Sequence, residues 1–311
     1  MKKTISILAM MLALSMVQAN AKLSTMIKKV DGSYNFWLYE PDNTTTTSTT
    51  SSESSTTETD PGYNPPPTNN DEEEYFPIML DEESAELQIA NEFKAKNTNT
   101  PTNAKPLVVF LHGRSLCGTD INRVMKYGTM AAIKRGLELD AYAIAPQNPG
   151  GAWSPDKIIK LVDWVAERYP IDTNRVYVLG MSLGGYGTID FTAAYPDRIA
   201  AAIAMCGGGS RRDLSGLNDV PLWILHGTAD ALVPVSESRK VKNKMEAAGS
   251  TSLLRYEEWP GVDHGTYARM FYHPQTYEWL FKHNLQDRQV DRSITITLED
   301  LKNVYRLTRK K

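Results

Sequence analysis

Short apolar runs alternate with amphipathic stretches along most of the chain from Lys105 onward. Strands that are buried on both faces of a sheet form continuous apolar runs, whereas a covering helix is apolar on one face only. The runs predicted as strands are 107–111, 141–145, 176–179, 200–205, 222–225 and 253–259. The alternation predicts an α/β fold with a mainly parallel sheet and helices on both of its faces.

The clearest helix signal begins at Ser154-Pro155. Serine is a favoured N-cap residue, and proline is favoured at the first helical position. Apolar residues then recur on one helical face, at positions 158, 161, 162 and 165. Further helices are predicted over 185–195 and 236–248.

The aromatic run 33–41 has the composition of a strand and is predicted to pair with the main sheet. A Thr- and Ser-rich tract follows it at 44–59, and Pro- and acid-rich residues continue the polar stretch. Such a composition has little to bury, so 42–104 is predicted to be a largely disordered insertion inside one domain. A tolerated loop insertion is favoured over a glycosylated or surface-exposed spacer.

The first residues have the three parts of an export signal. Lys2 and Lys3 are followed by an apolar run over 5–17 and by Ala19-Asn20-Ala21. This pattern predicts cleavage after Ala21 and a periplasmic or secreted protein. The alternative is a membrane anchor, but the run is short for a bilayer span and no later stretch is apolar enough. We therefore expect a soluble mature protein with no membrane span.

These patterns divide the chain into five predicted segments. They are a signal peptide at 1–21, an N-terminal strand segment at 22–41, the insertion at 42–104, the main α/β domain at 105–286 and a C-terminal extension at 287–311. The tail from Ser293 does not fit the strand–helix repeat, and both a docked strand and helix and a loose segment remain open.

Composition narrows the range of partners. The formal net charge is -3, so no basic surface for nucleic acid is expected. The five histidines have no metal-ligand spacing, and the sequence predicts no metal site. The two cysteines, Cys117 and Cys206, could form a disulfide in an exported protein, and their pairing is left open.

The first motif that indicates a catalytic residue is Gly180-Met181-Ser182-Leu183-Gly184. It matches G-x-S-x-G and lies where a predicted strand meets a predicted helix. A sharp turn at this junction exposes a nucleophilic serine, although the pattern alone also fits a tight turn with an idle serine. The context predicts Ser182 as a nucleophile.

Two later loops place an acid and a histidine after successive strands. Asp230 follows the strand at 222–225, and His264 follows the strand at 253–259. The order Ser, Asp, His and the placement at carboxyl ends of strands predict a catalytic triad. His264 would act as the general base, and Asp230 would orient it. Asp263 is a possible rival acid, but Asp230 is favoured because the acid follows the preceding strand.

The amide donors of an oxyanion hole are predicted at Leu183, directly after the nucleophile, and at Arg114, after the early strand. Two further histidines, His112 and His226, each precede a glycine at a strand end. They are predicted to hydrogen-bond backbone groups in the packed interior rather than to take part in catalysis.

These motifs resemble the exported feruloyl-esterase and polyhydroxybutyrate-depolymerase-like branch of the α/β-hydrolases. The resemblance covers roughly 33–283, apart from the insertion, and the chain is also similar to the predicted-peptidase and phospholipase/carboxylesterase groups of that fold. It implies an α/β-hydrolase fold, ester substrates such as acyl groups on plant polysaccharides, and no cofactor.

Few residues separate Gly209 from Pro221, so no large cap domain and an open site are expected. Trp153 is a tentative substrate-binding residue, and packing against the following helix is an equally favoured alternative.

The predicted function is hydrolysis of small-molecule or polysaccharide esters, feruloyl or acetyl. A serine peptidase of the same fold and an inactive carbohydrate-binding module are the alternatives. The ester and the oligomeric state remain open.

Overall fold

The computed structural model describes residues 26–27, 30–41 and 103–307. The predicted signal peptide and nearly all of the predicted insertion lie outside the described residues. None of the helices in the described part of the chain is long and apolar enough to cross a bilayer.

The described strands form one sheet in the order β1-β2-β4-β3-β5-β6-β7-β8. They are β1 Met26–Ile27, β2 Phe36–Tyr39, β3 Lys105–Leu111, β4 Tyr142–Pro146, β5 Ile171–Met181, β6 Ala201–Met205, β7 Leu222–Gly227 and β8 Leu254–Trp259. Each strand from β3 onward is parallel to its neighbours among β3–β8. β1 and β2 are antiparallel. The predicted fold class, an α/β fold with a mainly parallel sheet, is confirmed.

Helices follow most of the parallel strands. They are α1 Thr129–Arg135, α2 Pro155–Arg168, α3 Leu183–Ala194, α4 Ser236–Ala248, α5 Pro274–Phe281 and α6 Leu298–Leu307. Shorter 3₁₀ helices cover Arg114–Leu116, Ile121–Met125, Ser215–Asp219 and His264–Tyr272. The hydroxyl of Ser154 accepts the N–H of Lys157, which is the N-cap predicted for α2.

The core lies in two layers, one on each face of the sheet. Along β3, Val108 and Phe110 belong to one layer, and Leu107, Val109 and Leu111 belong to the other. Helices α1, α5 and α6 contribute to the first layer, and α2, α3 and α4 contribute to the second. This arrangement confirms the prediction of helices on both faces.

The aromatic run before the predicted insertion joins the sheet, as expected. Phe36 pairs with Pro146 and Tyr39 pairs with Ala143, so β2 lies antiparallel beside β4. The side chain of Phe36 is fully buried in the core layer that also contains α2.

In its described residues, 293–307, the tail from Ser293 docks on the domain and forms a helix but no strand. Ile294 and Ile296 are buried, and α6 buries Leu301 and Val304 completely. The guanidinium of Arg255 on β8 donates to the carbonyl oxygen of Ile294 at 2.7 Å. Residues 294–304 therefore extend the first core layer.

Candidate active site

The chain turns sharply at Ser182, between the last residue of β5 and the first residue of α3. Its backbone angles are φ 61° and ψ −124°, a conformation that costs energy for any residue with a side chain. The N–H of Ser182 donates to Met205 O at 2.9 Å, and the N–H of Tyr186 donates to Ser182 O at 3.0 Å. These bonds hold the strained turn at the carboxyl edge of the sheet.

Close backbone packing at this turn requires Gly184. A Cβ atom at Gly184 would lie 1.9 Å from Leu111 O. A glycine at this position therefore allows α3 to begin directly against β3.

Two loops meet beyond β7 and β8. The N–H of Ala229 donates to Val262 O at 3.1 Å, and the N–H of Gly261 donates to the Thr228 hydroxyl at 2.9 Å. A Cβ atom on Gly227 would lie 2.1 Å from Val262 O, so the two backbones approach closely. The loops that carry Asp230 and His264 are thereby fixed to each other.

The structure brings Asp230 and His264 into direct contact. His264 Nδ1 lies 2.6 Å from Asp230 Oδ2. Asp230 Oδ1 accepts the N–H groups of Leu232 and Val233 at 2.9 and 2.8 Å. Burial by itself raises the pKa of Asp230, but the bonds from Val233, His264 and Leu232 outweigh burial and lower this pKa. The carboxylate is thus stabilised in its charged form.

Asp263 has a different role. Its Oδ1 accepts the N–H of Thr266 at 2.9 Å and caps the 3₁₀ helix that begins at His264. The acid in contact with His264 Nδ1 is therefore Asp230, the favoured one of the two.

Cys206 lies beside this Asp–His pair. Its thiol, Asp230 and His264 each offer one metal-ligating atom, and the three atoms lie within 4.8 Å of one another. Burial, followed by the charge of Asp230, raises the pKa of the Cys206 thiol well above its usual range. The carbonyl oxygen of Met205, the residue directly before Cys206, accepts the N–H of Ser182. The backbone at 205–206 therefore connects Ser182 with the Asp230–His264 pair. Both Cys206 and Cys117 are free cysteines.

The loop after β3 approaches the serine. A Cβ atom on Gly113 would lie 3.4 Å from Ser182 Cβ. Gly113 O accepts from His112 Nδ1 at 2.8 Å and from Leu116 N at 3.1 Å. Because a trans peptide directs its C=O and N–H to opposite sides, the N–H of Arg114 points away from these donors.

His112 is buried and neutral. Burial lowers its pKa to about 4, while the bond to Gly113 acts in the opposite direction. Its Nε2 accepts the N–H of Asn148 at 3.0 Å. The prediction that His112 bonds backbone groups in the interior is confirmed, and those bonds orient the Gly113–Arg114 peptide.

Trp153 lies in the interior, which agrees with the packing alternative for this residue rather than with substrate binding. Its residue surface is 4% exposed, and its indole N–H donates to His112 O at 3.2 Å. The indole contacts Tyr34 edge-on at 5.1 Å between ring centroids, and a Cβ atom on Gly187 of α3 would overlap it. Trp153 is a packing residue beneath the His112 loop.

Tyr127 was missed by the sequence analysis. Its hydroxyl oxygen accepts the N–H of Gly113 at 2.7 Å, so it supports the loop next to Ser182. No motif surrounds Tyr127, and only the tertiary contact identifies it.

His226 bonds backbone, as predicted, and also contacts the acid. Its Nε2 lies 2.8 Å from Val233 O and 3.3 Å from Asp230 Oδ2. The second contact was not anticipated from the sequence.

The segment that contains these residues is similar to a known protein family. Residues 153–277 match the model of the Dienelactone hydrolase family, and this segment includes Ser182, Asp230 and His264. The chain is similar to this family over that segment, and its fold is that of the α/β-hydrolases. The strand order and the strand-to-helix turn at Ser182 agree with this assignment.

Three curated proteins illustrate what this chain is similar to. It is 36% identical over 70 residues to Acetylxylan esterase A of Emericella nidulans, 22% of each chain. It is 30% identical over 134 residues to Poly(3-hydroxyalkanoate) depolymerase C of Paucimonas lemoignei, 37% of this chain and 31% of that protein. It is 23% identical over 236 residues to Esterase YjfP of Escherichia coli, 58% of this chain and 90% of YjfP.

The first two relatives are therefore matched over less than a third of their length. The predicted resemblance to esterases and to a polyhydroxybutyrate-depolymerase-like branch is confirmed by the names of these relatives.

Proposed function

We propose that the protein is an exported serine esterase that hydrolyses carboxylic esters through an acyl-enzyme intermediate. The observation that carries the proposal is the 2.6 Å contact between His264 Nδ1 and Asp230 Oδ2 at the edge where β5 ends before Ser182. An aspartate in this position fixes the imidazole tautomer and leaves Nε2 free to accept a proton.

The residues divide the reaction into two steps. Ser182 Oγ attacks the ester carbonyl carbon while His264 Nε2 accepts the hydroxyl proton. The amides of Leu183 and Arg114 bind the oxyanion of the tetrahedral intermediate. As the intermediate collapses, His264 returns the proton to the leaving alcohol. Water then attacks the acyl-enzyme by the same route, and the carboxylic acid and free Ser182 are released.

The proposed substrates are acetyl or feruloyl esters of polysaccharides, or small esters. The similarity to an acetylxylan esterase supports acyl groups on a polysaccharide. A short loop and the 3₁₀ helix Ser215–Asp219 connect β6 to β7, which supports the absence of a large cap there. The buried carboxylate of Asp190 accepts the N–H groups of Ser210 and Arg211 and holds this connection against α3. An open site is suited to the side groups of a polymer.

The first test of this function is hydrolysis of a substrate panel by the protein without residues 1–21. The panel contains p-nitrophenyl acetate and butyrate, methyl ferulate, acetylated xylan and an aminoacyl-prolyl anilide. We expect ester turnover that falls by roughly 10⁴-fold or more in Ser182→Ala, because the nucleophile is lost. Ser250→Ala, in an exposed loop, is the matched control and should retain full turnover.

The other outcomes separate the alternatives. Cleavage of the anilide alone would indicate a peptidase, and no turnover on any substrate would favour a binding module. Ester turnover that persists in Ser182→Ala would reject Ser182 as the nucleophile.

Export is proposed on the N-terminal pattern alone. We expect the protein isolated from outside the cytoplasm of its host to begin at Lys22, because signal peptidases cut after a small-x-small pattern. N-terminal sequencing measures this directly. Exported protein that still begins at Met1 would contradict the proposed cleavage.

A further inference from the structure

A second imidazole, that of His226, contacts Asp230, the acid of the proposed triad. His226 Nε2 faces two acceptors, Val233 O at 2.8 Å and Asp230 Oδ2 at 3.3 Å, so this nitrogen carries a proton. Nδ1 lies 2.6 Å from the hydroxyl oxygen of Ser238, which also lies 2.8 Å from Gly207 O. The hydroxyl of Ser238 has one proton, and with Nε2 protonated this proton is donated to Nδ1, so Ser238 on α4 fixes the ring on its other side.

His226 is neutral in this position. Burial is the main cause that lowers its pKa, and the bonds to Val233 and the charge of Asp230 offset this only in part. The other charged groups that influence it are His264, Glu237 on α4 and Glu258 on β8. A neutral imidazole with its proton on Nε2 donates to Val233 O at 2.8 Å and directs the same N–H edge towards Asp230 Oδ2 at 3.3 Å without neutralising this carboxylate.

Both carboxylate oxygens of Asp230 are held by neighbouring groups, and His226 is one of these groups. The Leu232 and Val233 amides hold Oδ1, whereas His264 and His226 both contact Oδ2. The side chains of Asp230 and His226 are both 0% exposed, so no solvent contact can replace a lost donor. His226 also holds Val233 O, which fixes the far end of the same turn.

We propose that His226 is a positioning residue that holds the Asp230 carboxylate in the orientation required by His264, with Ser238 fixing the imidazole. This inference rests on the proposed function, because the consequence for turnover requires the Ser182–His264–Asp230 triad. His226 itself is enclosed by protein and does not touch substrate.

The substitutions His226→Leu and His226→Gln separate the N–H donor from the volume of the side chain. His226→Leu removes the donor, and we expect kcat to fall by about 10- to 100-fold, the scale of one hydrogen bond to a charged group. KM should stay unchanged because the ground-state contacts to substrate are intact. His226→Gln places an amide N–H near the position of Nε2 and should recover most of kcat.

A spectroscopic measurement tests the same inference without turnover. The proton between His264 Nδ1 and Asp230 Oδ2 should give a far-downfield ¹H NMR signal in the wild type. We expect His226→Leu to broaden this signal through exchange with water, and His226→Gln to restore it. The control is His283→Leu, since His283 is also buried and accepts a backbone N–H, from Asp291 at 3.0 Å. His283→Leu should lower stability and leave the signal intact.

The outcomes distinguish this inference from the proposed function. If the wild type is inactive on every ester, the proposed function fails, and the NMR signal alone decides whether His226 holds Asp230. A sharp signal in His226→Leu, or no difference between the Leu and Gln variants, would overturn the positioning role. If His226→Leu does not fold, Ser238→Ala tests the same contact, and a wild-type kcat and signal in that variant would also overturn it.

Discussion

At the scale of single residues, Gly184 is the position where one methyl group should be most disruptive. Gly184→Ala would place a Cβ atom 1.9 Å from Leu111 O, and the start of α3 would have to move away from β3. We expect the free energy of unfolding to fall by at least about 1–3 kcal/mol, the cost of an overpacked core. Urea denaturation monitored by circular dichroism measures it.

Gly265→Ala is the matched control for this prediction. The nearest atom to its added Cβ would be Asp263 Oδ1 at 3.8 Å, so the change in stability should stay within about 0.5 kcal/mol. Equal denaturation midpoints for the two variants would contradict the proposed backbone contact at Gly184.

The candidate site could be predicted from the sequence where its residues lie in local motifs at the ends of strands. Ser182, Asp230 and His264 each follow a strand, and parallel strands bring their carboxyl ends to one edge. Tyr127 and the contact of His226 with Asp230 could not be predicted, because neither contact leaves a motif in the sequence. Trp153 was ambiguous for a related reason: its burial depends on Tyr34, which is distant along the chain.

At the scale of secondary-structure elements, α6 shows how the tail contributes to the domain. Leu301 is 0% exposed, whereas Leu298 on the same helix is 40% exposed. Leu301→Ala should lower the free energy of unfolding by about 2–5 kcal/mol, because it opens a cavity in a packed core. Leu298→Ala should change it by less than about 0.5 kcal/mol. Thermal or urea unfolding of the two variants makes the comparison, and equal losses would show that α6 does not dock as described.

The elements themselves were predictable to different degrees. Five of the six parallel strands and α4 were predicted within two residues, because burial on both faces gives each strand an apolar run, whereas β5 begins at Ile171, five residues before its predicted start. The tail was left open because an amphipathic pattern at the end of a chain does not identify its partner. That partner includes the 3₁₀ helix from His264 to Tyr272, where Tyr272 contacts Tyr305 edge-on at 5.0 Å.

At the scale of the whole molecule, buried histidines make stability depend on pH. Burial is the first cause that lowers the pKa of His112, His226, His273 and His283. In the unfolded chain these histidines have a pKa of about 6.5, so protons bind preferentially to the unfolded state below that pH. The stabilisation is complete above about 6.5 and is lost as the pH falls towards the folded values, about 4 for His112.

We therefore expect the urea midpoint to fall as the pH is lowered from 7 to 5. The free energy of unfolding should fall by up to about 1.4 kcal/mol per pH unit for each histidine. The measurement is urea unfolding at several pH values across this interval. The slope should be smaller in His283→Gln, which lacks one of the four groups. A constant midpoint over this range would contradict the description of these histidines as buried and neutral.

The strands on either side of segment 42–102 are β2 and β3, which lie on opposite sides of β4. Tyr39 of β2 and Val108 of β3 both pair with Ala143 of β4, from opposite sides. Two strand spacings separate them, about 10 Å, a gap that a few residues can bridge. Both connections leave from the amino edge of the parallel strands, whereas Ser182 follows the carboxyl edge. A short linker, a tag or a foreign binding module inserted between β2 and β3 would therefore leave the sheet at the edge opposite to Ser182, and the strand register should be unchanged.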